Sequence, residues 1–213
     1  MNNKSDINLG KIIILNGAPR SGKTSIVNEI QNAFDGIWIN LGVDNYKNMI
    51  PERYQPGIGL RPGGERPDLE EDVVTMYKAL YESIRAHSRL GLNVVVDIGH
   101  HDLYSSSLGI LPQCIKILEE FPVLFVGVKC PIDEIIKRRI DSSYPVYEKD
   151  GTILNSILLW QDSVHVPGIY DLEVDTSLNT SYEIAMMIQD RLNESEFIAI
   201  NKLEEYFKEK MNE

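Results

Sequence analysis

Residues 12–30 read Ile12-Ile13-Ile14-Leu15-Asn16-Gly17-Ala18-Pro19-Arg20-Ser21-Gly22-Lys23-Thr24-Ser25-Ile26-Val27-Asn28-Glu29-Ile30. A short apolar run leads into a glycine-bounded loop closed by Lys-Thr, and a helix-like segment follows. That order of strand, loop and helix is the P-loop arrangement. A triphosphate tail is held there by backbone N–H groups at a helix N-terminus, so Gly17 to Ser25, through Ala18, Pro19, Arg20, Ser21, Gly22, Lys23 and Thr24, are the expected nucleotide-binding residues. Gly17 and Gly22 let the backbone approach the phosphates. Lys23 is expected to follow the migrating phosphoryl group as a point charge, and the Thr24 hydroxyl to ligate Mg²⁺.

Composition fits one domain built on this motif. A chain of 213 residues, 43% hydrophobic, can bury one substantial core. Its formal charge of −11 argues against a duplex nucleic-acid partner, whose affinity would rest on a basic surface. Cys114 and Cys130 give neither metal-ligand spacing nor a disulfide framework, and Cys130 reads as a packed small hydrophobe. Met1 to Asp6 carries no apolar signal region and no stretch has the length of a membrane span. The expectation is a cytoplasmic protein with no membrane partner.

Further along, short β-like runs alternate with helical segments, as in a parallel sheet covered on both faces. The expected strands are Ile12–Asn16, Ile37–Leu41, Val94–Asp97, Val123–Lys129 and Asp171–Val174. The fold class is therefore α/β, a three-layer αβα sandwich of P-loop kinase type with a central five-stranded parallel sheet and a lid. Between Leu69 and Leu90 the apolar residues Val73, Met76, Tyr77, Leu80, Tyr81 and Ile84 fall on one helix face, expected to be core. Thr180-Ser181-Tyr182-Glu183 has the form of a capping box. Breakers from Pro51 to Pro67 predict an irregular excursion over 51–68, and Asp141–Gly151 predicts a lid over 141–152. The charged end, 195–213, reads as a solvated terminal helix or an oligomer contact. The whole of 1–213 is expected to form one domain.

Carboxylates at strand ends refine the chemistry, because residues just after parallel strands gather at one edge of the sheet. Asp97 closes Val94-Val95-Val96, the expected companion of a P-loop, holding Mg²⁺ directly or through water. Its bland alternative is a helix N-cap. Asp44 follows Leu41-Gly42-Val43, and local sequence leaves a catalytic role and the cap of a short helix, Asn45–Ile50, evenly open. His100-His101-Asp102 lacks the further ligands of a metal site and reads as structural or substrate-facing. Trp160 and His165 could be ordinary packing residues.

Together, Asn16-Gly17, Gly22-Lys23, Leu41-Gly42-Val43-Asp44, Val94-Val95-Val96-Asp97, Val126-Gly127-Val128-Lys129-Cys130, Val164-His165 and Tyr170-Asp171-Leu172-Glu173-Val174-Asp175-Thr176 resemble the chloramphenicol 3-O-phosphotransferase family of P-loop kinases, over Lys11 to Leu192. The resemblance implies an ATP- and Mg²⁺-dependent transfer to a hydroxyl of a small molecule. It implies Asp44 as the base at that hydroxyl, and Arg138 as a catalytic arginine matching the family's Arg-Glu pair. The chain departs from the family in its lid: Arg138-Arg139-Ile140 is followed by Asp141-Ser142-Ser143-Tyr144-Pro145, without the usual arginines. Arg139 is the neighbour that could substitute, or a solvated surface charge. Other readings of the same residues are a kinase of a nucleotide sugar or nucleoside and a regulatory nucleotide-binding NTPase.

Overall fold

The computed structural model describes residues 8–194 and 196–212. Met1 to Asp6, read above for a signal, and residues 195 and 213 at the ends of the charged segment lie outside that range.

Five parallel strands, β1 (Ile12–Asn16), β2 (Trp38–Asn40), β3 (Asn93–Ile98), β4 (Val123–Lys129) and β5 (Leu172–Asp175), form one sheet in the order β2-β3-β1-β4-β5. Every side chain of β1 is buried, as expected of a central strand covered on both faces. It pairs Ile12 with Val94 on one side and Val123 on the other. The sequence expectations place all five strands, with ends shifted by one residue at β2, β3 and β5. β1 lies where the chain's direction of travel across the sheet reverses, so the loop after it opens into the crevice where such sheets bind ligands.

One face of the sheet carries α3 (Glu70–Arg89), α4 (Ile110–Ile117) and α8 (Ala199–Lys210), whose buried residues join Ile12, Ile14, Val94, Val96 and Phe125 in one core. The predicted apolar stripe of α3 is that core's contribution: Val73, Tyr77, Leu80, Tyr81 and Ile84 are all buried. The other face carries α1 (Lys23–Ala33) and α7 (Ser181–Leu192), packed on Ile13, Leu15, Val95 and Val126. A third cluster of Ala18, Cys130, Ile135, Ile157, Trp160 and Val164 sits under the lid, between α5 (Ile132–Asp141) and α6 (Asn155–Ser163).

Two expectations are corrected. The short helix after β2, α2, spans Val43–Asn48 rather than Asn45–Ile50, because Gly42 takes the N-cap position. The terminal helix α8 is not a solvated charge run: Ala199, Ile200 and Leu203 are buried against the core, and only its outer face carries the Lys and Glu residues. Composition hid this stripe, since apolar residues on a single narrow face are enough to dock a helix. The excursion is irregular as expected, with three short 3-10 turns at Glu52–Tyr54, Gly57–Gly59 and Pro67–Leu69. The lid after α5 is a tight reversal held by a bridge between Tyr147 and Ile153 and by the Leu154 N–H donating to the Val146 carbonyl at 2.8 Å.

Candidate active site

The P-loop connects β1 to α1, and its two glycines are required for different reasons. Gly22 has φ 93°, a left-handed conformation at the helix N-cap that side chains resist. Gly17 instead lies against β4, where a Cβ would come 2.5 Å from the Val128 carbonyl oxygen. The sequence expectation assigned both glycines to phosphate clearance; crowding by the sheet and backbone handedness already demand them.

Lys23 projects from the first turn of α1, its ammonium donating to the Gly17 and Ala18 carbonyls at 2.8 Å each. Burial lowers its pKa to about 8, and the carboxylates of Asp97 and Asp44 oppose that shift. Both acids therefore act on the same ammonium. Thr24 donates its hydroxyl to Asp97 Oδ2 at 2.7 Å. Asp97 sits inside β3, so it is not a helix N-cap. Its Oδ1 lies where a Cβ on Gly42 would be, 1.7 Å away, so Gly42 is a contact that only glycine permits. Asp44 stands in the first turn of α2, inside the helix rather than at its cap, and is exposed.

Gly17, Lys23, Thr24, Asp44, Asp97 and Arg138 line one cavity of about 670 Å³, together with Arg20, Tyr144 and Trp160. This volume is in the range of small-molecule sites. The structure thus gathers the P-loop and all three predicted side-chain partners from α2, β3 and α5. Arg138 has its donors engaged: Glu134 Oε1 at 3.1 Å, Thr176 Oγ1 at 2.9 Å and the Thr176 carbonyl at 2.7 Å. Thr176 in turn donates to the Ser21 carbonyl at 2.8 Å, so Arg138 ties the lid helix to the back of the P-loop through Thr176. Arg139 points elsewhere, donating through Nε and Nη2 to the Pro145 carbonyl at 2.9 and 2.6 Å.

Two features escaped the sequence reading. Arg20 occupies a left-handed position, φ 70°, and its guanidinium lies 3.7 Å from the ring centre of Tyr144 in the lid. Nothing in the sequence pairs residues so far apart. Asn16, buried at the end of β1, donates to the Val164 carbonyl at 2.8 Å and the Tyr170 hydroxyl at 2.9 Å, and accepts from the His100 N–H at 2.8 Å. It fastens two loops behind the P-loop. His100 is structural, 2.7 Å from the Tyr81 hydroxyl and pushed down to a pKa of about 3 by burial and then by His101. His165 lies 2.7 Å from the Tyr170 hydroxyl, and burial, Lys129 and Lys23 lower its pKa to about 4. Trp160, on α6, is a packing residue of the third core cluster.

A P-loop after the central strand of a sheet in this order places the protein in the P-loop kinase class of α/β folds. Solved structures of the same architecture include the Mycobacterium tuberculosis APS kinase in complex with AMPPNP and APS, with TM-score 0.58 and 14% identity over 87% of this chain and 99% of that one. Shikimate kinase from Acinetobacter baumannii gives TM-score 0.55 and 12% identity over 89% of this chain and 96% of that one. At such identities the likeness concerns the fold. Residues 10–193 match the family described as chloramphenicol phosphotransferase-like protein, and the chain belongs to that family of kinase-type phosphotransferases. A Mycobacterium tuberculosis protein named as an O-phosphotransferase is 23% identical over 93% of this chain and 89% of its own length. An adenylate kinase of Methanothermobacter thermautotrophicus is 28% identical over 71% of this chain and 78% of its own. Among the described residues no helix is long and apolar enough to cross a membrane.

Proposed function

We propose that this protein transfers the γ-phosphoryl group of ATP to a hydroxyl of a small molecule, with Asp44 as the base at that hydroxyl. The observation that carries the reading is the meeting of Asp44, Asp97 and Lys23 in one cavity, both carboxylates acting on one ammonium. The Thr24 hydroxyl and the Asp97 carboxylate are hard oxygen donors 2.7 Å apart, a pairing that suits Mg²⁺, held directly or through water. Bound there, Mg²⁺ would supply charge neutralisation at the β- and γ-phosphates.

The residues of the chain divide the remaining work. The P-loop backbone from Gly17 to Ser25 holds the phosphate tail, and Lys23 follows the charge that moves with the phosphoryl group. Asp44 orients the alcohol and takes its proton as the new O–P bond forms and the bond to the departing ADP oxygen breaks. Arg138 fixes the P-loop to α5 through Thr176 and adds positive charge beside the phosphates. Arg20 brings a further cation from the P-loop itself, packed on Tyr144 of a lid that lacks the family's usual arginines.

The test is transfer from labelled Mg-ATP to a panel of alcohols including chloramphenicol, nucleosides and nucleotide sugars, using wild type and Asp44→Asn. The expected result is a labelled acceptor with wild type and at least a hundredfold less with the variant, which keeps its ATP affinity. Equal, acceptor-independent phosphate release by both proteins would replace this reading with that of a nucleotide-dependent switch. Full transfer by Asp44→Asn would remove Asp44 from the base role.

A further inference from the structure

Four basic side chains line the P-loop cavity, Arg20, Lys23, Lys47 and Arg138, and three of them have partners. Lys23 is shared by Asp97 and Asp44, Arg138 is paired with Glu134 at 3.1 Å, and Arg20 lies on the Tyr144 ring. The fourth, Lys47, stands half-buried in the last turn of α2. Among the described residues its ammonium has neither a hydrogen bond nor an ion pair. Nor does it serve the end of its own helix, where the Tyr46 and Lys47 carbonyls already accept from the N–H groups of Met49 and Ile50. In a chain of formal charge −11, which repels anions at long range, this is a local cation with no task inside the protein.

Its position is set by α2. Gly42, the N-cap, is pressed against the Asp97 carboxylate, so the helix starts beside the Thr24–Asp97 pair. Lys47 comes five positions later, about 7.5 Å further along the helix axis. Asp44 and Lys47 are three positions apart and share one face, with Cβ atoms about 5–6 Å from each other. Val43, Pro56 and Ile58 make the neighbouring lining apolar. The excursion closes on α2 there, since a Cβ on Gly59 would touch Val43 at 3.4 Å. A molecule whose hydroxyl reaches Asp44 therefore has an apolar wall beside its body and an unpaired ammonium one helical turn away.

We propose that the acceptor is an alcohol bearing an oxyanion, a carboxylate or a phosphate, which pairs with Lys47 while the hydroxyl meets Asp44. The inference rests on the reading of Asp44 as the base, and it makes Lys47 the residue that sets the charge of the acceptor. The hydroxyl oxygen forms the bond to the γ-phosphorus, its proton passes to Asp44, and the bond to the ADP oxygen breaks with its electron pair leaving on ADP. Lys47 takes no part in these bonds. It holds the anion, and through the anion it holds the hydroxyl in register with Asp44. Uncharged alcohols, chloramphenicol among them, leave the ammonium unpaired and are the poorer acceptors.

The experiment measures transfer from labelled Mg-ATP to matched pairs that differ in charge: 3-(hydroxymethyl)benzoate and its amide, 4-hydroxybutyrate and its amide, and 3-(hydroxymethyl)phenyl phosphate and its dimethyl ester. In at least one pair the wild type should favour the anion in kcat/KM by about tenfold or more, the size of one charge-assisted contact. Whether a carboxylate or the phosphate is favoured identifies the oxyanion. Lys47→Met should bring that ratio to within about twofold, through KM, while ATP affinity stays within twofold and reports an intact P-loop. Lys47→Arg should retain the preference, and Lys47→Glu should favour 3-(aminomethyl)benzyl alcohol over 3-(hydroxymethyl)benzoate. The ratio within each protein is the readout, so an effect of the substitution on Asp44 itself cancels. Neutral members used as well as the anions by wild type, or a preference for the anion that survives in both Lys47→Met and Lys47→Glu, would overturn the proposal and leave the transferase reading standing. No labelled product from any alcohol, charged or neutral, would remove that reading and this inference with it.

Discussion

His100 illustrates how a single buried side chain sets a property of the whole protein. Its folded pKa of about 3 lies far below the unfolded value of about 6.5, so between these limits the unfolded chain binds a proton that the folded protein refuses. Stability is therefore full above pH 6.5 and falls as the pH drops toward 3. For this one group the loss between pH 7 and pH 5 is about 2 kcal/mol. His100→Gln can keep a hydrogen bond to Tyr81 without titrating, so its urea-derived stability should fall by about 2 kcal/mol less over the same interval. An unchanged slope would place the acid sensitivity elsewhere. Arg20 raises the opposite question, because its left-handed backbone costs about 1 kcal/mol and its cation–π contact with Tyr144 returns about the same. Arg20→Gly should thus leave stability within about 1 kcal/mol of wild type. If the guanidinium serves the phosphates, ATP affinity or turnover should drop at least tenfold in that variant. Unchanged transfer and affinity would reduce Arg20 to a lid contact.

Among the elements, α7 shows local sequence deciding a helix end. Thr180 Oγ1 accepts from the Glu183 N–H at 3.2 Å, and the Glu183 carboxylate accepts from the Thr180 N–H at 2.8 Å, completing the box written in the sequence. Thr180→Ala should cost about 1 kcal/mol, measured as a lowered denaturant midpoint with an unchanged slope. A loss below about 0.3 kcal/mol would mean that packing of Ile184 and Ala185 alone fixes the start of the helix. The same locality explains what was legible from the sequence. β1, the P-loop and the stripe on α3 announce themselves because apolar runs, glycine spacing and helical period are properties of adjacent residues. The start of α2 was misread by two residues because Gly42, which looks like a breaker, caps the helix while making room for the Asp97 carboxylate. The Arg20 contact with Tyr144 and the Asn16 network depend on distant segments meeting. No local pattern records them.

For the molecule as a whole, one carboxylate pins the start of α8, whose inner face packs on the core. The Asp171 side chain is fully buried, and its oxygens accept from the N–H groups of Phe125 at 3.0 Å, Ile198 at 2.7 Å and Ala199 at 3.0 Å. It therefore joins β4 to the N-terminus of α8, where free N–H groups and the helix dipole both favour an anion. Removing it leaves the part-buried Phe125 and Ala199 donors unpaired, each at about 1–2 kcal/mol, so Asp171→Ala should cost about 3 kcal/mol. A domain with a typical stability of about 5–15 kcal/mol would survive this loss, yet α8 should open more often than the rest. Hydrogen exchange should then accelerate first in Ala199–Lys210 while β1 and α3 stay protected. The contrast is Glu204→Ala, which breaks the ion pair to Lys208 at 3.0 Å; that lysine is 61% exposed, and the change should stay within about 0.5 kcal/mol. If Asp171→Ala instead exchanges uniformly across the sheet, α8 is part of the same cooperative unit as the P-loop domain. Selective opening of α8 would identify it as a separable unit, one that opens without disturbing Lys23 and Asp97.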